Sequence, residues 1–494
     1  MLGSQLNLGL QVRFPGEVFR TVQHPAHAKR TALYHRYANK LIINQDLNRA
    51  LVSFQANKPA PFYRWLKYKE AFSSDLVQYL LEKFRPAGVS KPRVLDPFAG
   101  AGTTLTTATK LGWRATGIEL LPVGVGGLRA RLFADTVSIR SFEYYLSRFE
   151  RLSLKPFASN GFRFPHLRIT EKAFSDETER AISAYHEFLD SIPKAEVRFL
   201  FWFACLSILE DVSYTRKDGQ YLRWDRRSGR QLKSSFHKGT VCDFRPALIE
   251  KLNVMLQDIK QRNGGTFSRN VEVIEGSCLT ELSKLPDARF DLVITSPPYC
   301  NRYDYTRTYA IELAFLGYNE KAVKQLRQSL LSSTVENKSK RELLAKEYRA
   351  RGQEDRYKNA LAAFTRQEAL IEVLTLLYEA EKKGELNNSN IPSMVENYFF
   401  ELNLVIHDLS RLLAPGGRVV MVNDNVQYHG EEVPVDLILS DFAAHAGLTI
   451  EHIWVLPRGK GNSSQQMGMH GRNELRKCVY VWSKGSSQFS GKHV

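Results

Sequence analysis

Residues 289–299, RFDLVITSPPY, constrain the fold of this chain more than any other stretch. An apolar run, Leu292-Val293-Ile294, stops at Thr295-Ser296-Pro297-Pro298-Tyr299. Short apolar runs bounded by turn residues read as buried strands of the kind found in parallel sheets. Two consecutive prolines have no N–H to donate to a ladder, so the strand must end there in a stiff turn at its carboxyl edge. In open α/β sheets that edge is where ligands bind. Ser296 brings a hydroxyl, Pro297 and Pro298 bring carbonyls of restricted geometry, and Tyr299 brings a flat ring. Acceptors in the plane and an aromatic face suit an exocyclic amino group on a base. Taken alone, the stretch is equally an ordinary strand-to-loop turn.

A second stretch, residues 94–104 (VLDPFAGAGTT), breaks that tie. Val94-Leu95 closes a short strand, Asp96-Pro97-Phe98 turns, and Gly100-Ala101-Gly102 opens a loop before a helix starting near Thr103. Glycines let a ligand approach the backbone, and a helix N-terminus adds free N–H groups. The run Ala115-Thr116-Gly117-Ile118-Glu119 follows as the next strand, ending in a carboxylate. A Gly-rich turn with an acid about 20 residues on is the arrangement that holds a ribose diol. A nicotinamide dehydrogenase would share these two features, but the third glycine of its fingerprint is missing here and SPPY has no role in hydride transfer.

DPFAGAGTT together with TSPPY resembles the S-adenosylmethionine-dependent amino-methyltransferases of DNA, which methylate cytosine N4 or adenine N6. The SPPY form most resembles the cytosine-N4 members; adenine enzymes more often carry aspartate where this chain has Ser296. The resemblance covers roughly residues 60–135, 270–315 and 390–485. It implies a doubly wound α/β fold, the seven-stranded class I methyltransferase sheet, with two mostly helical insertions. It implies a cofactor site made by Phe72, Ser73, Asp96, Phe98, Gly100, Gly102 and Glu119, with Ser277 meeting the cofactor's adenine where many relatives have aspartate. Ser296, Pro297, Pro298 and Tyr299 are the implied catalytic residues, acting on a base flipped out of duplex DNA. The function implied is site-specific cytosine-N4 methylation in a restriction-modification or other defence system, with a cognate endonuclease or defence subunits as candidate partners. Set beside it are adenine-N6 methylation, an RNA or protein methyltransferase, and a non-catalytic DNA-binding member of a defence complex.

Composition fits a polyanionic partner: the net charge is +17 and the pI about 9.5. The five cysteines show no C-x-x-C spacing, so neither zinc nor a disulfide framework is expected, and free thiols fit the cytoplasm. Cys300 reads as a small pocket-lining residue, because amino-group methylation needs no covalent cysteine. No signal peptide and no membrane-length apolar run is visible.

Along the chain, residues 1–60 form an N-terminal extension with a basic, histidine-rich patch from His24 to Tyr37, either an arm onto DNA phosphates or a solvated segment. The catalytic domain takes 61–135, 270–315 and 390–485, and 486–494 is a tail. Ser73 or Ser74 caps a helix through Phe84. The insertion 136–269 is the candidate DNA-recognition region. Its segment 213–238 interleaves cations with aromatics, and Arg216, Lys217, Tyr221, Arg223, Trp224, Arg226 and Arg227 are the candidate DNA contacts; the competing reading is a solvated hairpin. The helical insertion 316–389 reads as a lid, a recognition element or a partner surface. The aromatic run 301–316 flanks the base pocket, and the basic, glycine-rich loop 457–477 lies on the substrate side.

Overall fold

The computed structural model describes residues 27–48, 51–53, 57–69, 71–152, 163–218, 221–231, 236–262, 264–457 and 475–486. Its strands, in chain order, are β1 (Leu41–Ile43), β2 (Arg93–Asp96), β3 (Arg114–Glu119), β4 (Thr215–Asp218), β5 (Tyr221–Trp224) and β6 (Val271–Glu275). They continue with β7 (Phe290–Thr295), β8 (Leu413–Asp424), β9 (Val426–Tyr428), β10 (Glu431–Val433), β11 (Thr449–Val455) and β12 (Lys477–Ser483). Eight of them form one sheet in the order β1-β11-β12-β8-β7-β2-β3-β6. Only β12 runs against its neighbours; the other pairings in this sheet are parallel. The seven expected strands are present, and β1 adds an eighth at the edge, paired with Ile453–Val455.

The strands of this sheet are apolar on both faces because helices cover both. Leu95, Val293, Val419 and Met421 point into one core, shared with the helices Ile391–Leu412 and Val435–His445. Their sequence neighbours Val94, Leu292, Ile294, Val420 and Val422 point into the other, shared with Ser74–Lys83 and Thr103–Lys110. The period of two thus places alternate residues of one apolar run in two cores. From β2 the chain winds outward through β3, whereas β7 lies on the other side of β2. The loops leaving β2 and β7 therefore diverge and open a crevice at their carboxyl ends, the usual ligand position in such sheets.

The first insertion packs its helices Ile139–Arg151, Asp176–Asp190, Ala195–Val212 and Phe244–Lys260 with Pro122–Thr136 around a third core. Phe201 and Phe203 are buried there, as expected of an aromatic stripe. β4 and β5 form an antiparallel hairpin. The second insertion contributes the helices Glu320–Ser329, Arg341–Ala350, Glu354–Arg366 and Glu368–Lys382.

The described part of the N-terminal basic patch is an ion-paired helix whose Lys29, His35 and Arg36 remain exposed. On the helix Ala28–Tyr37, Arg30 binds Glu372 at 2.8 Å and Glu431 at 2.7 Å, Lys29 binds Glu368 at 2.8 Å, and Arg36 binds Asp441 at 2.8 Å. These cations are answered by the protein's own carboxylates; His24 lies outside the described residues. No helix among the described residues is long and apolar enough to cross a membrane.

Candidate active site

Two cavities meet at the crevice. The larger, about 750 Å³, is lined by residues from the turns after β2, β3, β6 and β7. The smaller, about 210 Å³, is lined by Ser296, Pro297, Tyr299, Asn301, Tyr303 and Tyr305. Ser296 and Tyr305 line both.

Of the eight residues expected at a cofactor, Phe72, Asp96, Phe98, Gly100, Glu119 and Ser277 line the larger cavity. Ser73 does not: it is fully buried, and its Oγ caps the helix Ser74–Lys83 by accepting from Leu76 N at 3.1 Å. Gly102 is also set back from the cavity. Its φ of +79° starts the helix Thr103–Lys110, and a Cβ there would run into Leu128.

Glu119 ends β3 with both oxygens engaged: Oε2 accepts from Gly100 N and Oε1 from Leu121 N, each at 2.6 Å. Each oxygen keeps a second lone pair for the cavity side. Burial pushes this carboxyl up to about 7 even though those N–H bonds favour the anion. Asp96 lines the cavity while both of its oxygens are bonded to the protein. Its oxygens accept from Thr104 Oγ1 at 2.6 Å, Thr295 Oγ1 at 2.9 Å and Phe98 N at 3.1 Å.

At the second turn, Ser296 Oγ donates to Tyr299 Oη at 3.3 Å. Its hydrogen is thereby directed away, leaving Oγ lone pairs to accept. The Lys477 ammonium stands 5.6 Å from the centre of the Tyr299 ring. Cys300 does not line either cavity. It is fully buried in the core, where desolvation raises its thiol pKa, and its carbonyl accepts from Tyr428 Oη at 2.6 Å.

Several lining residues carried little sequence signal. Tyr68 lies beneath the glycine turn, 3.0 Å from where a Cβ on Gly100 would stand, and stacks on Tyr309 with ring centres 5.5 Å apart. Tyr303 and Tyr305 pack 4.7 Å apart, within the aromatic run expected to flank the base pocket. Leu330 and Leu331 come from the second insertion. Gly124, on the helix after β3, lets that helix approach the site: a Cβ there would lie 2.9 Å from Gly100 O and 3.0 Å from Glu119 Cδ.

The candidate DNA contacts divide by strand alternation. Arg216, Arg223, Arg226 and Arg227 are exposed and Trp224 is half-buried. Arg223 pairs with Asp218 at 2.7 Å, and Arg227 with Asp225 at 2.8 Å. Arg230 lies over Trp224 at 4.2 Å. Tyr221 begins β5, opposite Asp218. Lys217 contradicts its assignment to DNA. It is buried, ion-paired with Glu312, 3.7 Å from Glu210, and 4.7 Å above the Tyr309 ring. On β4 the exposed positions are Arg216 and Asp218, so the strand's period of two turns Lys217 inward. Most of the loop 457–477 lies outside the described residues.

A doubly wound sheet with one reversed strand, a glycine turn bonded to a carboxylate, and an SPPY turn on an adjoining cavity together define a class I methyltransferase. The chain is 45% identical over 464 residues to the type II methyltransferase M.AvaI of Nostoc sp. (strain PCC 7120) and of Anabaena variabilis, covering 92% of each chain. It is 40% identical over 484 residues to the type II methyltransferase M.BsoBI of Geobacillus stearothermophilus, covering 94% of this chain and 93% of that one. No protein-family model matches the chain. The chain belongs to the type II methyltransferases, within the DNA methyltransferase family.

Proposed function

We propose that the protein transfers a methyl group from S-adenosylmethionine to the exocyclic N4 of cytosine at specific sites in duplex DNA, as the modification enzyme of a restriction-modification system. The carrying observation is the junction at Ser296, which lines both the larger cavity and the smaller, tyrosine-walled one.

The larger cavity suits the cofactor in the chemistry of its lining. Glu119 offers acceptors to a ribose diol, Gly100 admits close approach, and Phe72 and Phe98 cover the methionine end. Ser277 Oγ donates to Ser329 O at 3.0 Å, which leaves it an acceptor for the adenine amino group. When bound, S-adenosylmethionine supplies an electrophilic methyl on a sulfonium sulfur.

The smaller cavity would take the flipped base. Extrusion from the duplex costs a few kcal/mol, and stacking on Tyr299 recovers roughly 1–3 kcal/mol of it. An amino nitrogen conjugated to the ring is a poor nucleophile. Ser296 Oγ and the Pro297 carbonyl, accepting its two hydrogens, favour a pyramidal nitrogen whose lone pair points at the methyl. Holding both reactants in line supplies much of the rate. Arg216 and Arg226 serve the phosphates.

Incubation with methyl-labelled S-adenosylmethionine and DNA, RNA or protein tests the substrate class. Label is expected in duplex DNA; label only in RNA or protein would overturn it.

A further inference from the structure

We infer that the strap Ser329–Thr334, which leaves the first helix of the second insertion, is the wall that fits the cofactor's adenine, with Leu330 as the selecting side chain and the buried Glu401–Lys340 pair as its anchor. The inference rests on the larger cavity being the S-adenosylmethionine site.

The strap closes the cavity at the end beyond Glu119. Leu330 and Leu331 line it together with Ile118 and Cys278. Leu331, Ile118 and Cys278 belong to one buried cluster, continuous with the sheet. A ring beyond a ribose-holding carboxylate needs apolar plates on its faces and polar atoms at its edge. Ile118 and Leu331 are the plates, and Ser277, bonded to the carbonyl that adjoins Leu330, marks the edge with Leu330 beside it.

The strap is fixed at three points. Ser329 O accepts from Ser277 Oγ at 3.0 Å. Ser333 Oγ donates to Tyr303 O at 3.3 Å, reaching the base pocket. Between them, Ser332 N donates to Glu401 Oε2 at 2.8 Å and Ser332 Oγ to Glu401 Oε1 at 2.7 Å. Lys340 Nζ donates to Ser332 Oγ and Glu401 Oε1, both at 2.7 Å. Ser332 and Glu401 are fully buried and Lys340 is 7% exposed. A buried ion pair adds little net stability, so a fully satisfied one placed behind two lining leucines is best explained by the position it enforces. Glu401 sits within the 22-residue helix Ile391–Leu412, a rigid base for the strap.

The test uses S-adenosylmethionine and an analogue carrying a bulky alkyl group on adenine N6, with wild type and Leu330→Ala. Wild type should reject the analogue. Leu330→Ala should bind and use the parent cofactor less well and the analogue better, shifting both the ratio of calorimetric affinities and the ratio of kcat/KM values by about 10–100-fold, the scale set by a few methylenes in an apolar pocket. Leu330→Val should shift it in the same direction by less. The double variant Lys340→Met/Glu401→Gln, which removes both charges at similar volume, should also lower discrimination with Leu330 intact. An unchanged ratio in both Leu330 variants would overturn the inference. If calorimetry showed that wild type binds no S-adenosylmethionine, the cofactor reading itself would fall instead.

Discussion

Thr295 Oγ1 donates a 2.9 Å hydrogen bond to Asp96 Oδ1, joining the carboxyl ends of β7 and β2. The same carboxylate holds Phe98 N, at the start of the glycine turn, and Thr104 Oγ1, on the helix that follows it. One buried side chain thereby sets the SPPY turn in register with the glycine turn.

Thr295→Val keeps the side-chain shape and removes one donor to a buried carboxylate. We expect a stability loss of about 1–3 kcal/mol at pH 8, read by urea denaturation. Burial raises the Asp96 carboxyl from 3.8 to about 6, so the folded state holds that proton more tightly than the unfolded state. Its ionisation therefore costs stability as pH rises from 3.8 towards 6, and the variant should extend this fall to higher pH. An equal deficit at pH 4 and pH 8 would contradict the role of the bond.

Glu119 should make cofactor binding pH-dependent. Its carboxyl, raised by burial to about 7, must be ionised to accept from both ribose hydroxyls. Affinity should be full above pH 7 and fall as pH drops through 7 toward the ordinary carboxylate value of 4.5. Glu119→Ala should cost on the order of 2–4 kcal/mol at pH 8, read by calorimetry, and remove the pH dependence. A flat wild-type profile would separate Glu119 from the ligand.

At Gly124 two effects oppose each other. Alanine at an ordinary helix position stabilises by about 1 kcal/mol. Here its Cβ would press on Gly100 O and Glu119 Cδ, so the site should yield while the helix holds. We expect Gly124→Ala to unfold near the wild-type temperature yet bind S-adenosylmethionine at least about tenfold more weakly, as expected when about 1.4 kcal/mol is lost. Undiminished affinity would show that the two turns shift without consequence.

The hairpin separates charge at the surface from charge inside. Arg216→Ala and Arg226→Ala should each lower the slope of log affinity for DNA against log salt by about 0.9 if each arginine neutralises a phosphate. Lys217→Met should leave that slope unchanged but destabilise the fold by about 3–5 kcal/mol, because Glu312 is left buried and unpaired. A reduced slope in the Lys217 variant would return that residue to the DNA surface.

The parts legible in the sequence were those where local chemistry permits one answer. A Pro-Pro turn after Leu292-Val293-Ile294 must end a strand, and Gly100 beside a later Glu119 must bring backbone and carboxylate close. β1 was not legible, because three apolar residues in a polar segment carry no period. Lys217 misled because a cation inside a basic run looks the same whether it faces water or Glu312; only the pairing of β4 with β5 fixes the alternation. The strap was silent for another reason. Ser329–Thr334 has neither charge nor motif, and its place depends on Glu401, 69 residues from Ser332. Ser73 carried two expectations, a helix cap and a place at the cofactor; its bond to Leu76 meets the first and takes its side chain out of the cavity beside Phe72.

The most direct test of the central claim is nucleoside analysis of DNA methylated to completion by the purified enzyme. The proposed seating of one flipped base against Ser296, Pro297 and Tyr299 predicts N4-methylcytosine as the product, lost in Ser296→Ala while cofactor binding persists. N6-methyladenine as the sole product would contradict the cytosine assignment.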